Sequence, residues 1–121
     1  MNDDGLISDE RSLRDIAAWL TTPASCGVFL SAFDLKRIGQ LIGIGVTPLN
    51  RRFAVEQLFR SAAIEATPDP LFAALIAEVE AQRAAYERCD SAHLQPWIDL
   101  AGVTLTTLEE MQETWQKARL D

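Results

Sequence analysis

The chain has 121 residues, 48% hydrophobic and 24% charged, a balance typical of a globular protein and not of a disordered one. Its formal net charge of −7 opposes general affinity for nucleic acid or for anionic membranes. No stretch approaches the roughly 20 apolar residues of a membrane span, and the acidic start lacks the apolar run of a secretory signal. We therefore expect a cytoplasmic protein without a membrane partner, with residues 1–121 as one domain and residues 1–8 flexible.

The first predicted helix begins near Ser8 or Asp9, because either side chain can cap a helix N-terminus. Its buried stripe repeats at helical spacing and consists of Leu13, Ile16, Ala17 and Leu20. The helix stops at the Thr-Thr-Pro sequence of 21–23, since the residue before a proline avoids helical backbone angles. Trp19 falls just off the stripe, which makes it a candidate for apolar docking on the surface.

A short connector follows over residues 24–30, and we predict that Phe29 and Leu30 enter the core from it. The second predicted helix then starts at Ser31, which forms a capping box with Asp34. Its buried stripe consists of Leu35, Ile38, Gly39 and Ile42. A glycine inside a helix costs roughly 1 kcal/mol relative to alanine, so Gly39 predicts close approach of a neighbouring helix.

Gly43 and Gly45 end the second helix, because glycine accepts the left-handed conformation found at helix C-termini. Thr47 and Pro48 predict the start of the third helix, with threonine as cap and proline in the first turn. Its stripe consists of Val55, Leu58, Phe59 and Ala62. Phe33 and Phe53 lie off the main stripes of their helices, so each either completes the core or forms a docking surface.

Positive charge is concentrated in residues 36–60, where five basic side chains stand against one acidic one, for a local charge of +4. The candidate interaction patch of this region consists of Lys36, Arg37, Asn50, Arg51, Arg52 and Arg60. Residues 31–60 could form a DNA-reading helix-turn-helix, with a turn glycine at Gly43 and a recognition helix starting over 47–52. The alternative is a helical hairpin whose charged side faces water or neutralises acidic helices of the same fold.

The two prolines of the sequence Thr67-Pro68-Asp69-Pro70 predict a fourth helix. Asp69 caps it, Pro70 lies in its first turn, and it runs to about Arg88. Its core face consists of Phe72, Leu75, Ile76 and Val79, with Tyr86 on the same side. A fifth helix begins at Pro96 and ends at Gly102. Its predicted buried set is Leu94, Trp97, Ile98 and Ala101.

The sixth predicted helix is capped by Thr106 or Thr107, with a glutamate three residues on. Its apolar line consists of Leu105, Leu108, Met111, Trp115 and Ala118. All six segments share the helical period, and none shows a sustained period of two. The sequence therefore predicts an all-α fold, a compact orthogonal or irregular bundle of five or six helices.

Residue types that carry catalysis or bind metal are scarce. His93 is the only histidine. Cys26 and Cys89 stand far apart without a CxxC pattern, so we expect two reduced thiols, with one disulfide as the alternative. Glu109 and Glu110 are already explained as capping residues. We therefore predict no catalytic residue, no metal site and no cofactor, and we do not expect an enzyme.

We expect a non-enzymatic partner-binding protein, an adaptor, chaperone-like factor or regulator that acts through helical surfaces. Its partner is another protein or a second copy of itself in a homodimer, since an acidic exterior with a basic window suits complementary docking. One alternative is a helix-turn-helix DNA-binding regulator that uses residues 31–60. The other alternative is an uncharacterised enzyme.

Overall fold

A computed structural model of the protein describes residues 10–47, 50–64, 68–89 and 91–120. Within these ranges the chain forms six α-helices and no β-strand, which confirms the predicted all-α bundle. The α-helices are α1 (Glu10–Leu20), α2 (Pro23–Cys26), α3 (Ala32–Ile42), α4 (Arg51–Ile64), α5 (Pro68–Arg88) and α6 (Gln95–Leu120). A 3-10 helix, Ala92–Leu94, links α5 to α6. Residues 1–8, and the caps predicted at Ser8 and Asp9, lie outside the described ranges.

Buried side chains from all six helices form one hydrophobic cluster. The stripes predicted for α1 and α4 are buried in full: Leu13, Ile16, Ala17, Leu20, Val55, Leu58, Phe59 and Ala62. The stripes of α3 and α5 are confirmed too, apart from Ile42 and Ile76, which are only partly buried. Phe59 and Phe72 meet edge to face with ring centroids 5.8 Å apart, and this contact joins α4 to α5.

The start of α3 has the predicted capping box. Ser31 Oγ accepts a hydrogen bond from the Asp34 backbone N–H at 3.0 Å, and Asp34 Oδ2 accepts one from the Ser31 N–H at 3.0 Å. Gly43 ends the helix with a φ of 80°, as its position predicts. The boundaries of α3 therefore follow directly from its capping residues.

Gly39 makes room mainly for the chain that leaves α3. A Cβ atom there would lie 2.6 Å from Ile44 O and 2.7 Å from Val46 Cγ2, and 3.5 Å from Leu58 Cδ2 of α4. The connection after Gly43 therefore folds back against α3. The expected close approach is present, but the nearest neighbour is this connection and α4 comes second.

The start of α4 differs from the prediction. Asn50, and not Thr47, caps the helix, because Asn50 Oδ1 accepts the Phe53 backbone N–H at 3.0 Å. The Thr47 N–H instead donates to Gln57 Oε1 at 3.0 Å, and Pro48 lies outside the described residues. Since α3 ends at Ile42 and α4 begins at Arg51, the connection is longer than the three- or four-residue turn of a helix-turn-helix.

The connector after α1 was predicted only in part. The first helix ends at Leu20 as expected, but Pro23 then starts the short helix α2, and Phe29 is half-exposed while Leu30 is fully buried. The prediction that Phe29 enters the core is therefore wrong. A similar correction applies to α5, which begins at Pro68, so that Asp69 lies in its first turn and does not cap it.

Helix α6 is a single element where two were predicted. It runs through Gly102, and Thr106 and Thr107 do not cap a new helix but donate their hydroxyls to carbonyl oxygens one turn earlier. Gly102 faces Arg83 of α5, whose Nη2 would lie 3.1 Å from a Cβ atom at this glycine. The glycine therefore accommodates a side chain of the neighbouring helix and does not end its own helix.

The buried set predicted for the first part of α6 is mostly wrong. Ala101 is fully buried, but Leu94 and Ile98 are partly buried and Trp97 is 37% exposed. Farther along, Leu108 is fully buried, as predicted, and Leu105, Met111 and Trp115 pack at the edge of the core. The side chain of Ala118 lies outside the described residues. Buried Thr104, which was not predicted, donates its hydroxyl to Cys26 O at 2.7 Å.

Candidate functional site

The segment before α3 and the N-terminus of α4 meet at one hydrogen bond. Arg51 Nε donates to Leu30 O at 2.7 Å, and its guanidinium carbon lies 4.3 Å from the centroid of the Phe29 ring. This geometry combines a charged hydrogen bond with a cation–π contact. Arg51, predicted as an interaction residue, therefore also holds the fold together. Its Nη2 atom is buried and finds no acceptor.

Three exposed phenylalanines lie close to Leu30 or Arg51 along the chain, and we call Phe29, Phe33 and Phe53 the aromatic junction. Each stands within three residues of Leu30 or Arg51, and their exposed fractions are 50%, 73% and 46%. The predicted docking residues Phe33 and Phe53 are thus accessible to a partner. Phe29 was missed, although it alternates with buried Val28 and Leu30.

Trp19, the third predicted docking residue, lies in a different environment. Its side chain is partly buried and packs against the hydrophobic core from α1. The indole ring of Trp19 is therefore less accessible to a partner than the rings of the aromatic junction.

The predicted cationic patch divides into internally bonded and exposed side chains. Arg37 contacts Glu78 Oε1 of α5 at 2.6 Å and Asp34 Oδ1 at 3.4 Å, and Arg60 lies 3.6 Å from Glu56 Oε1. Lys36 and Arg52 are exposed. The alternative prediction, that basic side chains neutralise acidic helices of the same fold, therefore holds for part of the patch.

The ion pairs of α3 alter the proton affinity of two groups. Burial alone would raise the pKa of Asp34, but its hydrogen bonds with Ser31 and Arg37 outweigh burial and lower that pKa below its ordinary value of 3.8. The hydrogen bond to Glu78 raises the pKa of Arg37 above its ordinary value. Both shifts favour the charged forms of Asp34 and Arg37, and the contact of Arg37 with Glu78 links α3 to α5.

An open pocket of about 500 Å³ is lined in part by Arg51, which also contacts the Phe29 ring of the aromatic junction. The described residues that line it are Thr21, Asn50, Arg51 and Arg52. Thr21 follows the end of α1, and the other three residues stand at the start of α4. The pocket is therefore polar and positively charged, and the first backbone N–H groups of α4 reinforce that charge. These features suit an anionic group such as a carboxylate.

A second open pocket, of about 520 Å³, lies between the end of α5 and the start of α6. It includes exposed Cys89, but two of its other residues are committed to the fold. Arg83 Nε donates to Ile98 O at 3.2 Å, and the Tyr86 hydroxyl donates to Gly27 O at 2.8 Å. His93 is exposed and is not among the described residues that line this pocket, so the only imidazole of the chain does not join Cys89 there.

The two cysteines are unpaired and lie in different environments. Cys26 is fully buried, with its thiol 3.3 Å from Val28 O, and burial raises its pKa. Among the side chains that the structure describes, no group of three histidine, cysteine, aspartate or glutamate residues is arranged to hold a metal ion.

Comparison of this chain with protein-family models, curated proteins and solved structures gave no match. In the described part of the chain, none of the helices has both the length and the apolar character needed to cross a bilayer. The exposed side chains and the pockets of the molecule are therefore the basis for the function proposed below.

Proposed function

We propose that this chain is a non-enzymatic partner-binding protein that docks another protein on the surface around the aromatic junction. The observation that supports this function is the exposure of Phe29, Phe33 and Phe53, each at least 46% exposed. All three lie within three residues of Leu30 or Arg51, whose hydrogen bond joins α4 to the segment before α3. Isolated exposed apolar side chains are ordinary on soluble proteins. Aromatic side chains grouped beside arginine are typical of protein–protein interfaces.

The distribution of cations favours a protein partner over DNA. Sequence-independent DNA affinity requires several free cations that neutralise phosphates. Here Arg37 is paired with Glu78 and Arg51 is bonded to the Leu30 carbonyl, so Lys36 and Arg52 are the exposed basic members of the predicted patch. The exposed rings of Phe33 and Phe53 suit an apolar protein surface better than a phosphate backbone.

Affinity capture with matched baits tests this function. The baits are the wild-type chain, a Phe33→Ser/Phe53→Ser variant, and a Val103→Ser control in which a 60% exposed side chain of α6 changes. We expect a protein that the wild type and the control retain and that the phenylalanine variant loses by at least about tenfold. Titration calorimetry with the purified partner must reproduce that loss.

Two further outcomes bear on the proposal. If every captured protein binds the phenylalanine variant as well as the wild type, while circular dichroism shows that all baits are folded, docking at the aromatic junction is wrong. Light scattering after size exclusion tests the homodimer, because a strict monomer at high concentration removes self-association and leaves a different protein as the partner.

A further inference from the structure

We infer that the partner presents a short acidic peptide segment with apolar residues, whose carboxylate enters the pocket between α1 and α4. Its apolar side chains then pack on the aromatic junction. This inference rests on the proposed function, and it adds the chemical class of the partner and the place where its charge binds.

The pocket provides the charge that an acidic side chain requires. Arg51 and Arg52 both line it, and Arg52 is exposed. Arg51 Nη2 is buried and has no acceptor, so the exposed Arg52 is the guanidinium that an incoming carboxylate can reach. A carboxylate in the pocket would form charge-assisted hydrogen bonds with Arg52 and would lie close to the positive charge of Arg51.

Apolar contact area lies directly beside these cations. The Phe29 ring is stacked against the Arg51 guanidinium, and Phe53 follows Arg52 in the first turn of α4. Phe33 and Lys36 lie three residues apart on α3 and therefore share one face of that helix. A matching segment thus carries apolar side chains next to one or two carboxylates.

The small number of exposed cations favours a short segment over a long polyanion. The chain carries a net charge of −7, and acidic side chains dominate outside residues 36–60. At physiological ionic strength, exposed charges are screened beyond about 8 Å. A short peptide therefore experiences mainly the local cations, whereas DNA extends across the acidic remainder of the surface and is repelled by it.

Peptide display provides the test. A library of short random peptides is selected on the wild-type chain, with counter-selection on a folded Arg52→Gln/Phe53→Ser variant. We expect the enriched sequences to combine Asp or Glu with aromatic or aliphatic residues. In fluorescence anisotropy, a dye-labelled peptide from this set should lose at least about tenfold in affinity with Arg52→Gln. It should retain its affinity with Arg14→Gln, which removes an exposed cation of α1.

Each remaining outcome overturns the inference. Enriched peptides that are neutral or basic, or that bind Arg52→Gln unchanged, would show that the pocket does not select a carboxylate. Failure to enrich any peptide would exclude a short linear segment. Salt-sensitive binding of a mixed-sequence DNA duplex that Arg52→Gln abolishes would assign the cations to nucleic acid. The capture experiment with the phenylalanine variant still decides the proposed function separately, because it does not depend on the charge of the partner.

Discussion

Polar side chains that α5 and α6 direct at the neighbouring backbone contrast with exposed phenylalanines on α3 and α4. The polar groups bond the backbone at and just after the end of α2: Gln82 Nε2 donates to Phe29 O at 2.7 Å, Tyr86 to Gly27 O and Thr104 to Cys26 O. Helices α3 and α4 instead direct Phe33 and Phe53 outward. Substitutions at these inward polar side chains should therefore change stability, whereas substitutions of Phe33 and Phe53 should change binding.

The largest effect should come from Gly27→Ala, at the segment that α5 and α6 hold. Gly27 has a φ of 82°, and an added Cβ would lie 2.7 Å from the backbone N of Ala101. Backbone atoms of α6 cannot move aside cheaply, so we expect a loss of about 3 kcal/mol or more in the free energy of unfolding. Urea denaturation followed by circular dichroism measures it.

Gly43→Ala provides the matched control for that substitution. Gly43 has a φ of 80°, but no atom lies within 4 Å of the position of an added Cβ. Only the left-handed backbone conformation is penalised there, which predicts a loss of about 1–2 kcal/mol. Equal losses for the two alanine variants would mean that the contact between Gly27 and α6 contributes nothing.

A smaller loss of stability should follow from Thr104→Val. The buried hydroxyl of Thr104 is a partner of the Cys26 carbonyl, so valine leaves that oxygen unsatisfied at a cost of about 1–3 kcal/mol. Thr106→Val removes an exposed hydroxyl from the same helix and should change stability by less than about 0.5 kcal/mol. Thermal melts compare the melting temperatures of the two variants. Similar melting temperatures would argue against a contribution of the hydrogen bond from Thr104 to Cys26 O.

The capping box of α3 should give a pH-dependent effect. The pKa of Asp34 is lowered below 3.8, so its charge stabilises the fold above that value, and the contribution is lost as pH falls through the lower pKa of the folded state. Asp34→Asn should therefore cost about 0.3–1 kcal/mol at neutral pH. The difference from the wild type should shrink in urea titrations below about pH 4. A difference that stays constant with pH would exclude the charge as its cause.

The smallest change in stability should come from Phe33→Ser. Its side chain is 73% exposed, so we expect the free energy of unfolding to change by no more than about 0.5 kcal/mol. The same variant should reduce partner capture, which would separate binding from folding. A loss above about 2 kcal/mol would mean instead that Phe33 contributes to the packed core.

Local patterns were sufficient to predict part of the fold. The apolar stripes of α1 and α4, and the capping box at Ser31 and Asp34, depend on residues close in sequence, and all of them are confirmed. Gly102 was misinterpreted as a helix end because its role depends on Arg83, a residue of the neighbouring helix. Asn50 was overlooked as a cap because Thr47 and Pro48 presented a stronger local signal.

The candidate site was predictable to a similar extent. Phe33 and Phe53 could be singled out because they lie off the stripes of their helices, but that position left open whether each completes the core or is exposed. The structure leaves both exposed. The hydrogen bond of Arg51 could not be predicted, because its acceptor is the Leu30 carbonyl, 21 residues earlier in the chain. Sequence periodicity reports which face of a helix is apolar, but it does not report where a long charged side chain ends.

The different accessibility of the two thiols makes local opening of the fold measurable by cysteine labelling. Cys89 is exposed, whereas Cys26 is buried within the segment whose backbone accepts hydrogen bonds from Tyr86 and Thr104. The alkylation rate of Cys89 would report the intrinsic reactivity of the reagent. The alkylation rate of Cys26 would report how often the hydrogen-bonded segment opens. A single labelling time course therefore measures the opening of the segment around Cys26, with Cys89 of the same molecule as the reference.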